Sequence, residues 1–100
     1  MEEKYFRKAD EISRLLDCLS QPIRLMIICL LLRREMYVQE IIEQLGTTKG
    51  NISQHLRVLS DRGLVAGRKN GNRIFYRIAD PGIARFIDSL KSIYCPDFDI

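Results

Sequence analysis

Three thiols are the first groups in this 100-residue chain that can do chemistry: Cys18, Cys29 and Cys95. None forms a C-x-x-C, and there is a single histidine, His55, so no zinc-finger spacing exists. An odd count argues against a structural disulfide framework, and the thiols are expected to be reduced at rest. Cys29 sits within LMIICLLL, one thiol among seven apolar side chains. Taken alone it reads as a small hydrophobe in a buried helix, since free cysteine is among the most buried residue types. Cys95 stands beside Pro96 at the end of the chain's last apolar periodicity, where partial exposure is expected.

A second set of residues can read a polyanion. Between Thr47 and Ser60 there is no acidic residue, and Thr48, Lys49, Asn51, Ser53, Gln54, His55 and Arg57 supply small polar and basic side chains. Asn and Gln pair with adenine edges, Lys and Arg with guanine, and Ser with either, so such a face suits a DNA major groove. A merely solvated helix more often carries Glu/Lys pairs. His55 alone can be a metal ligand or a core residue; among these neighbours it reads as a phosphate or base contact.

The charge distribution agrees. Net charge is +3, and residues 63–79 hold Arg68, Lys69, Arg73 and Arg77 with no acid, whereas residues 80–100 carry four acids against two bases. Arg68, Lys69, Asn70, Asn72 and Arg73 lie near the tip of a twisted ribbon that can reach the flanking phosphates or minor groove, contacts that set affinity and register rather than sequence choice.

The elements that must position these groups follow from periodicity. Tyr5, Ala9, Ile12, Leu15, Leu16 and Leu19 mark an amphipathic helix over 3–19. Ser20 or Gln21 caps a second helix with Pro22 in its first turn; residues 22–34 are apolar nearly all round, so this helix is central and buried. Met36-Tyr37 is a short extended bridge. Residues 38–45 form a short helix directing Ile41, Ile42 and Leu45 inward, and Gly46 ends it as a left-handed cap. Thr47 and Thr48 cap a helix over 49–62, with Ile52, Leu56 and Leu59 on its inner face. Two short helices around a turn containing glycine are a helix-turn-helix. Residues 64–69 and 73–78 are strand-like, and Asn70-Gly71-Asn72 between them is a tight-turn signal. Asp80-Pro81 opens a last helix whose stripe is Ile83, Phe86, Ile87, Leu90, Ile93 and Tyr94; Pro96 ends it, leaving a tail over 97–100. The expected fold is mainly α with a β-hairpin: one winged helix-turn-helix domain over residues 1–100. The stripes of the first and last helices are left for a dimer interface.

The stretches LSQPIRLMIICLL, ISQHLRVLSDRGLV and GNRIFYRIADPGI together resemble the ArsR/SmtB-type winged-helix repressors of bacteria, and the likeness runs from Ile12 to Cys95. The resemblance implies a homodimer built from the first and last helices. It implies recognition helices one helical turn apart, ~34–36 Å, on an inverted repeat of double-stranded DNA, released when an effector is sensed. Metal-sensing branches carry recognisable ligands. An arsenic-type Cys-x-Cys would fall in EMYVQEI, where Tyr37, Val38 and Gln39 stand; a zinc-type site needs several His and acids in the last helix, where residues 81–95 offer Asp88 and no His. The pair Cys29 and Cys95, in LMIICLL and SIYCPD, resembles the persulfide- and sulfide-responsive subgroup, in which two cysteines at matching positions become linked by a disulfide or polysulfide bridge. By that resemblance Cys29 and Cys95 are the sensor thiols, reactive sulfur species are the effector, Cys18 has no counterpart, and no metal or cofactor is implied.

Two other readings stay open: a repressor sensing arsenite or a soft metal through Cys29, Cys95 and Cys18, and a protein-interaction module on the same scaffold. No base–nucleophile or paired-carboxylate spacing points to an enzyme. The charged start MEEKYFRKADE lacks a signal peptide's apolar core, and Leu25 to Leu32 is far short of the ~20 residues that span a bilayer, so a cytoplasmic protein is expected.

Overall fold

A computed structural model describes residues 2–97; most of the expected tail, residues 98–100, lies outside the described residues. Along the chain α1 spans Glu3–Cys18, α2 Pro22–Arg33, β1 Met36–Tyr37, α3 Val38–Leu45, α4 Lys49–Asp61, β2 Val65–Asn70, β3 Arg73–Ile78 and α5 Pro81–Tyr94.

The apolar run of α2 has no polar face, and the fold closes around it. Ile27, Ile28 and Leu30 are fully enclosed, with Cys29 and Leu31 beside them. Each neighbouring element adds the side chains that its period directs inward: Ile41 from α3, Ile52, Leu56 and Leu59 from α4, and Ile83 and Ile87 from α5. Fully burying one such aliphatic side chain stabilises by roughly 1.5–3 kcal/mol, so this cluster holds the helices in place.

The helix ends are set by local chemistry. Gly46 takes the left-handed conformation (φ 67°, ψ 34°) and its N–H donates to the Ile42 carbonyl at 2.8 Å, closing α3. Asp80 Oδ1 accepts from the Gly82 and Ile83 N–H groups at 2.8 and 3.2 Å, opening α5 behind Pro81. At α2 the capping position is Gln21, without a side-chain bond; the Ser20 hydroxyl instead donates backwards to the Asp17 carbonyl at 2.6 Å.

Met36-Tyr37 is more than a bridge. It pairs antiparallel with β3, Met36 opposite Tyr76 and Tyr37 opposite Phe75, so the expected hairpin becomes a three-stranded sheet of order β1-β3-β2. Met36 is only 3% exposed, and its burial brings the strand alongside. The β2–β3 hairpin pairs Val65 with Ile78 through to Asn70 with Arg73. Its two-residue turn has Gly71 at φ 64°, and Asn72, like every non-glycine among the described residues, avoids positive φ. Glycine at the first central position alone is the requirement of a type II′ turn.

Helix α1 leaves this body at 89° to α2 and buries only Cys18. Tyr5, Phe6, Ile12 and Leu16 remain exposed along it. On α5, Ile83 and Ile87 enter the core while Phe86, Ile93 and Tyr94 stand open on another edge. No single helix among the described residues is long and apolar enough to cross a membrane.

Candidate nucleic-acid interface

The three residues Gly46–Thr48 separate α3 from α4 and pin the start of α4. Thr48 Oγ1 accepts from the Asn51 N–H at 3.2 Å, and the Asn51 side-chain amide donates to Thr47 Oγ1 at 3.0 Å. Thr48 and Asn51, two of the residues expected to touch a ligand, therefore also build the turn.

With Ile52, Leu56 and Leu59 inside, α4 presents Lys49, Ser53 and Arg57 at four-residue steps and Gln54 beside them, all exposed. There is no acid in its first turn. His55 stands apart from this stripe. Three residues after Ile52 and one before Leu56, it is half-buried at the flank of the helix. Its Nδ1 is enclosed without a hydrogen-bond partner. Burial, and then the nearby Arg24 charge, push its pKa below the ordinary value, so the imidazole is neutral at pH 7. Arg24 is itself tied, its Nε donating to the Cys18 carbonyl at 2.6 Å.

In an antiparallel sheet, directly opposed residues share a face and alternate residues change face. The register therefore puts Arg68 (opposite Phe75), Arg73 (opposite Asn70) and Arg77 (opposite Ala66) on one face, and Lys69 (opposite Ile74) on the other. Four of the expected wing contacts thus divide by position: Arg68 and Arg73 lie on one face, Lys69 on the reverse, and Asn72 in the turn. Arg77 is exposed on the same face as Arg68 and Arg73, where the Arg-x-Phe-x-Arg alternation of β3 places it. Tyr37 and Phe75 complete that face. The Arg68 and Arg73 guanidinium carbons lie 5.3 and 4.4 Å from the ring centroids of Phe75 and Tyr37 respectively.

The thiols are arranged unequally. All three cysteines are free; Cys18 and Cys29 are buried and Cys95 is half-buried. Helix α5 packs against α2, the helix that carries Cys29. Burial pushes the Cys29 thiol above its ordinary pKa; Lys91 pulls the other way and Cys95 adds a further upward push. Cys95 follows α5 directly, its N–H donating to the Lys91 carbonyl at 2.8 Å. Among the described residues, no three His, Cys, Asp or Glu side chains are gathered where they could share a metal ion.

A family model described as "Bacterial regulatory protein, arsR family" matches residues 21–66. Over 89 residues the chain is 38% identical to the biofilm growth-associated repressor of Xylella fastidiosa, covering 89% of this chain and 78% of that protein. Reduced HlyU from Vibrio cholerae superposes with a TM-score of 0.88 at 30% identity, covering 94% of this chain and 99% of that one. The homodimeric winged helix-turn-helix DNA-binding domain of Mb0332 from Mycobacterium bovis does so with a TM-score of 0.81 at 29% identity, covering 93% and 86%. The shared architecture and these identities make the chain a winged helix-turn-helix member of the arsR family of bacterial regulatory proteins.

Proposed function

We propose that the chain is a homodimeric cytoplasmic repressor, one domain over its 100 residues, that leaves an inverted-repeat operator when reactive sulfur species link Cys29 to Cys95. DNA binding is assigned to Lys49, Ser53, Gln54 and Arg57 on α4, aided by Thr48, Asn51 and His55, and to Arg68, Lys69, Asn72 and Arg73 on the wing. The exposed apolar edges of α1 and α5 suit a dimer, as in the homodimeric Mycobacterium bovis domain.

What supports the sensing half is a buried Cys29 on α2 and a half-exposed Cys95 directly after α5, the helix that packs on α2, with the Cys95 charge felt at Cys29. A relative solved in a form described as reduced is in keeping with thiol chemistry. The Cys95 thiolate attacks the outer sulfur of a low-molecular-weight persulfide, forming a Cys95 persulfide and releasing a thiolate. Cys29 then attacks the Cys95 sulfur, the Cys29–Cys95 disulfide forms, and hydrogen sulfide leaves with both remaining protons. The two protein thiols are oxidised and the sulfane sulfur is reduced. Cys29, held protonated by its apolar neighbours, is the resolving thiol. A direct disulfide needs Cα atoms within ~7 Å, while extra sulfur atoms span a wider gap. Either bridge pins α5 to α2 and alters the spacing of the paired α4 helices.

Persulfide treatment followed by intact mass and peptide mapping should find a Cys29–Cys95 link within one chain, together with loss of operator binding. Cys29→Ser and Cys95→Ser proteins should keep their DNA under the same treatment. Normal release by both variants would end this reading. Release that instead tracks one equivalent of arsenite or cadmium would transfer the function to a thiolate metal sensor.

A further inference from the structure

Two of the arginines assigned to the wing are already seated. Across the three strands Tyr37, Phe75 and Arg68 stand in one row, and Arg73 lies two residues from Phe75 on the same face. The Arg73 guanidinium carbon is 4.4 Å from the centroid of the Tyr37 ring. Tyr37 meets Phe75 edge-on, with centroids 5.4 Å apart and planes at 63°. Beside this row a cleft of about 370 Å³ opens between the start of α3, the start of α4 and the wing tip. Gln39, Lys49, Asn72 and Arg73 supply its polar lining, and among the described residues no acid lines it.

A guanidinium on a ring keeps its donors. Its five N–H groups lie in the plane and point outward from its edge, so the face rests on the aromatic while the edge stays open to an acceptor. Stacking also removes beforehand part of the rotamer freedom that a long side chain loses on gripping a phosphate. Arg73 and Lys49, the first residue of α4, both line this cleft. We propose that Tyr37 is a positioning residue for DNA binding, its ring holding Arg73 so that one backbone phosphate is seated between Arg73 and Lys49. The inference rests on the DNA-binding reading and adds to it a residue on β1, outside both the recognition helix and the wing.

The test is fluorescence anisotropy across a salt series. One probe is a duplex enriched by the wild-type protein from a random-sequence pool; the other is a scrambled duplex of equal length. Arg73→Ala should weaken both probes about equally and lower the slope of log affinity against log salt by about 0.9 for each protomer, about 1.8 for the dimer. Tyr37→Leu should lose roughly three- to tenfold on both, Tyr37→Phe should bind as wild type, and the double variant Tyr37→Leu with Arg73→Ala should be no weaker than Arg73→Ala alone. Arg73→Lys alters only an exposed side chain; it keeps the charge and loses the guanidinium that lies over the ring, and should fall as Tyr37→Leu does. Wild-type binding by Tyr37→Leu or by Arg73→Lys, or losses that add in the double variant, would overturn the proposal. Failure of the DNA-binding reading appears separately, as a wild-type protein that does not prefer the enriched duplex.

Discussion

The outer stripe of α4 and the outer face of the sheet carry similar polar and basic side chains, held in different ways. On α4, Lys49, Ser53, Gln54 and Arg57 stand exposed with no aromatic or carboxylate partner among the described residues. On the sheet, Arg73 lies on Tyr37, and Arg68 lies over Phe75 with its Nη2 3.4 Å from Glu35 Oε1. Residues that choose between bases work by directed hydrogen bonds and gain from adjusting to the edge they meet, whereas residues that grip phosphate are indifferent to sequence and gain from being fixed in advance. The helix is anchored through its buried side, and its outer side chains rest on no ring; on the sheet the outer arginines lie over rings.

The two sides of α4 give the largest expected effect. Leu56 is 1% exposed at the centre of the core. Leu56→Ala should cost about 2–5 kcal/mol of stability, read by urea unfolding at fixed protein concentration because the chain is proposed to dimerise. Two residues away, Gln54→Ala should leave stability within about 0.5 kcal/mol of wild type. It should instead remove about 1–3 kcal/mol of discrimination between the enriched and scrambled duplexes, with the salt slope unchanged. If both duplexes weaken equally, Gln54 is holding phosphate and the division of labour between helix and wing collapses.

That division was half legible in the sequence. The spacing of Ile52, Leu56 and Leu59 gives the inner side of α4 directly, and the Asn-Gly-Asn turn and Asp80-Pro81 give the hairpin and the start of α5. Local patterns suffice there because the interactions that decide them lie within a few residues. The partnership of β1 with β3 was not legible. Two residues carry no period, and their partners Phe75 and Tyr76 lie about forty positions later. The platform under Arg73 is a product of that pairing, so it was hidden for the same reason. His55 shows another limit. Its residue type matches its polar neighbours, but its place beside Leu56 turns it half inward, and only packing against the Arg24 side of the fold shows that. The pairing of Cys29 with Cys95 rests on the family resemblance; residue spacing alone carries no sign of it.

The smallest effect concerns what secures the sheet's first strand. Glu40 joins two groups: Oε2 lies 2.8 Å from Arg34 Nη2, and Oε1 accepts the Tyr37 N–H at 3.1 Å. The Arg34 hydrogen bond, with lesser help from the Tyr37 N–H and the Arg34 and Arg73 charges, holds the carboxyl below the usual carboxylate range against partial desolvation. A depressed folded-state pKa fixes the sign: the ionised carboxylate favours the folded state. Its contribution is complete above the unfolded value of about 4.3 and drains away as pH falls through the lower folded value. Glu40→Gln should therefore be less stable than wild type at pH 7, and acidification through that window should bring the two stabilities together. The gap should stay below about 1 kcal/mol, since Arg34 is more than half exposed and solvent screens the pair. Paired urea titrations at neutral and acid pH measure it. A gap that persists on acidification would mean that the carboxylate charge contributes nothing, leaving strand pairing and the ring contacts alone to hold Tyr37 under Arg73.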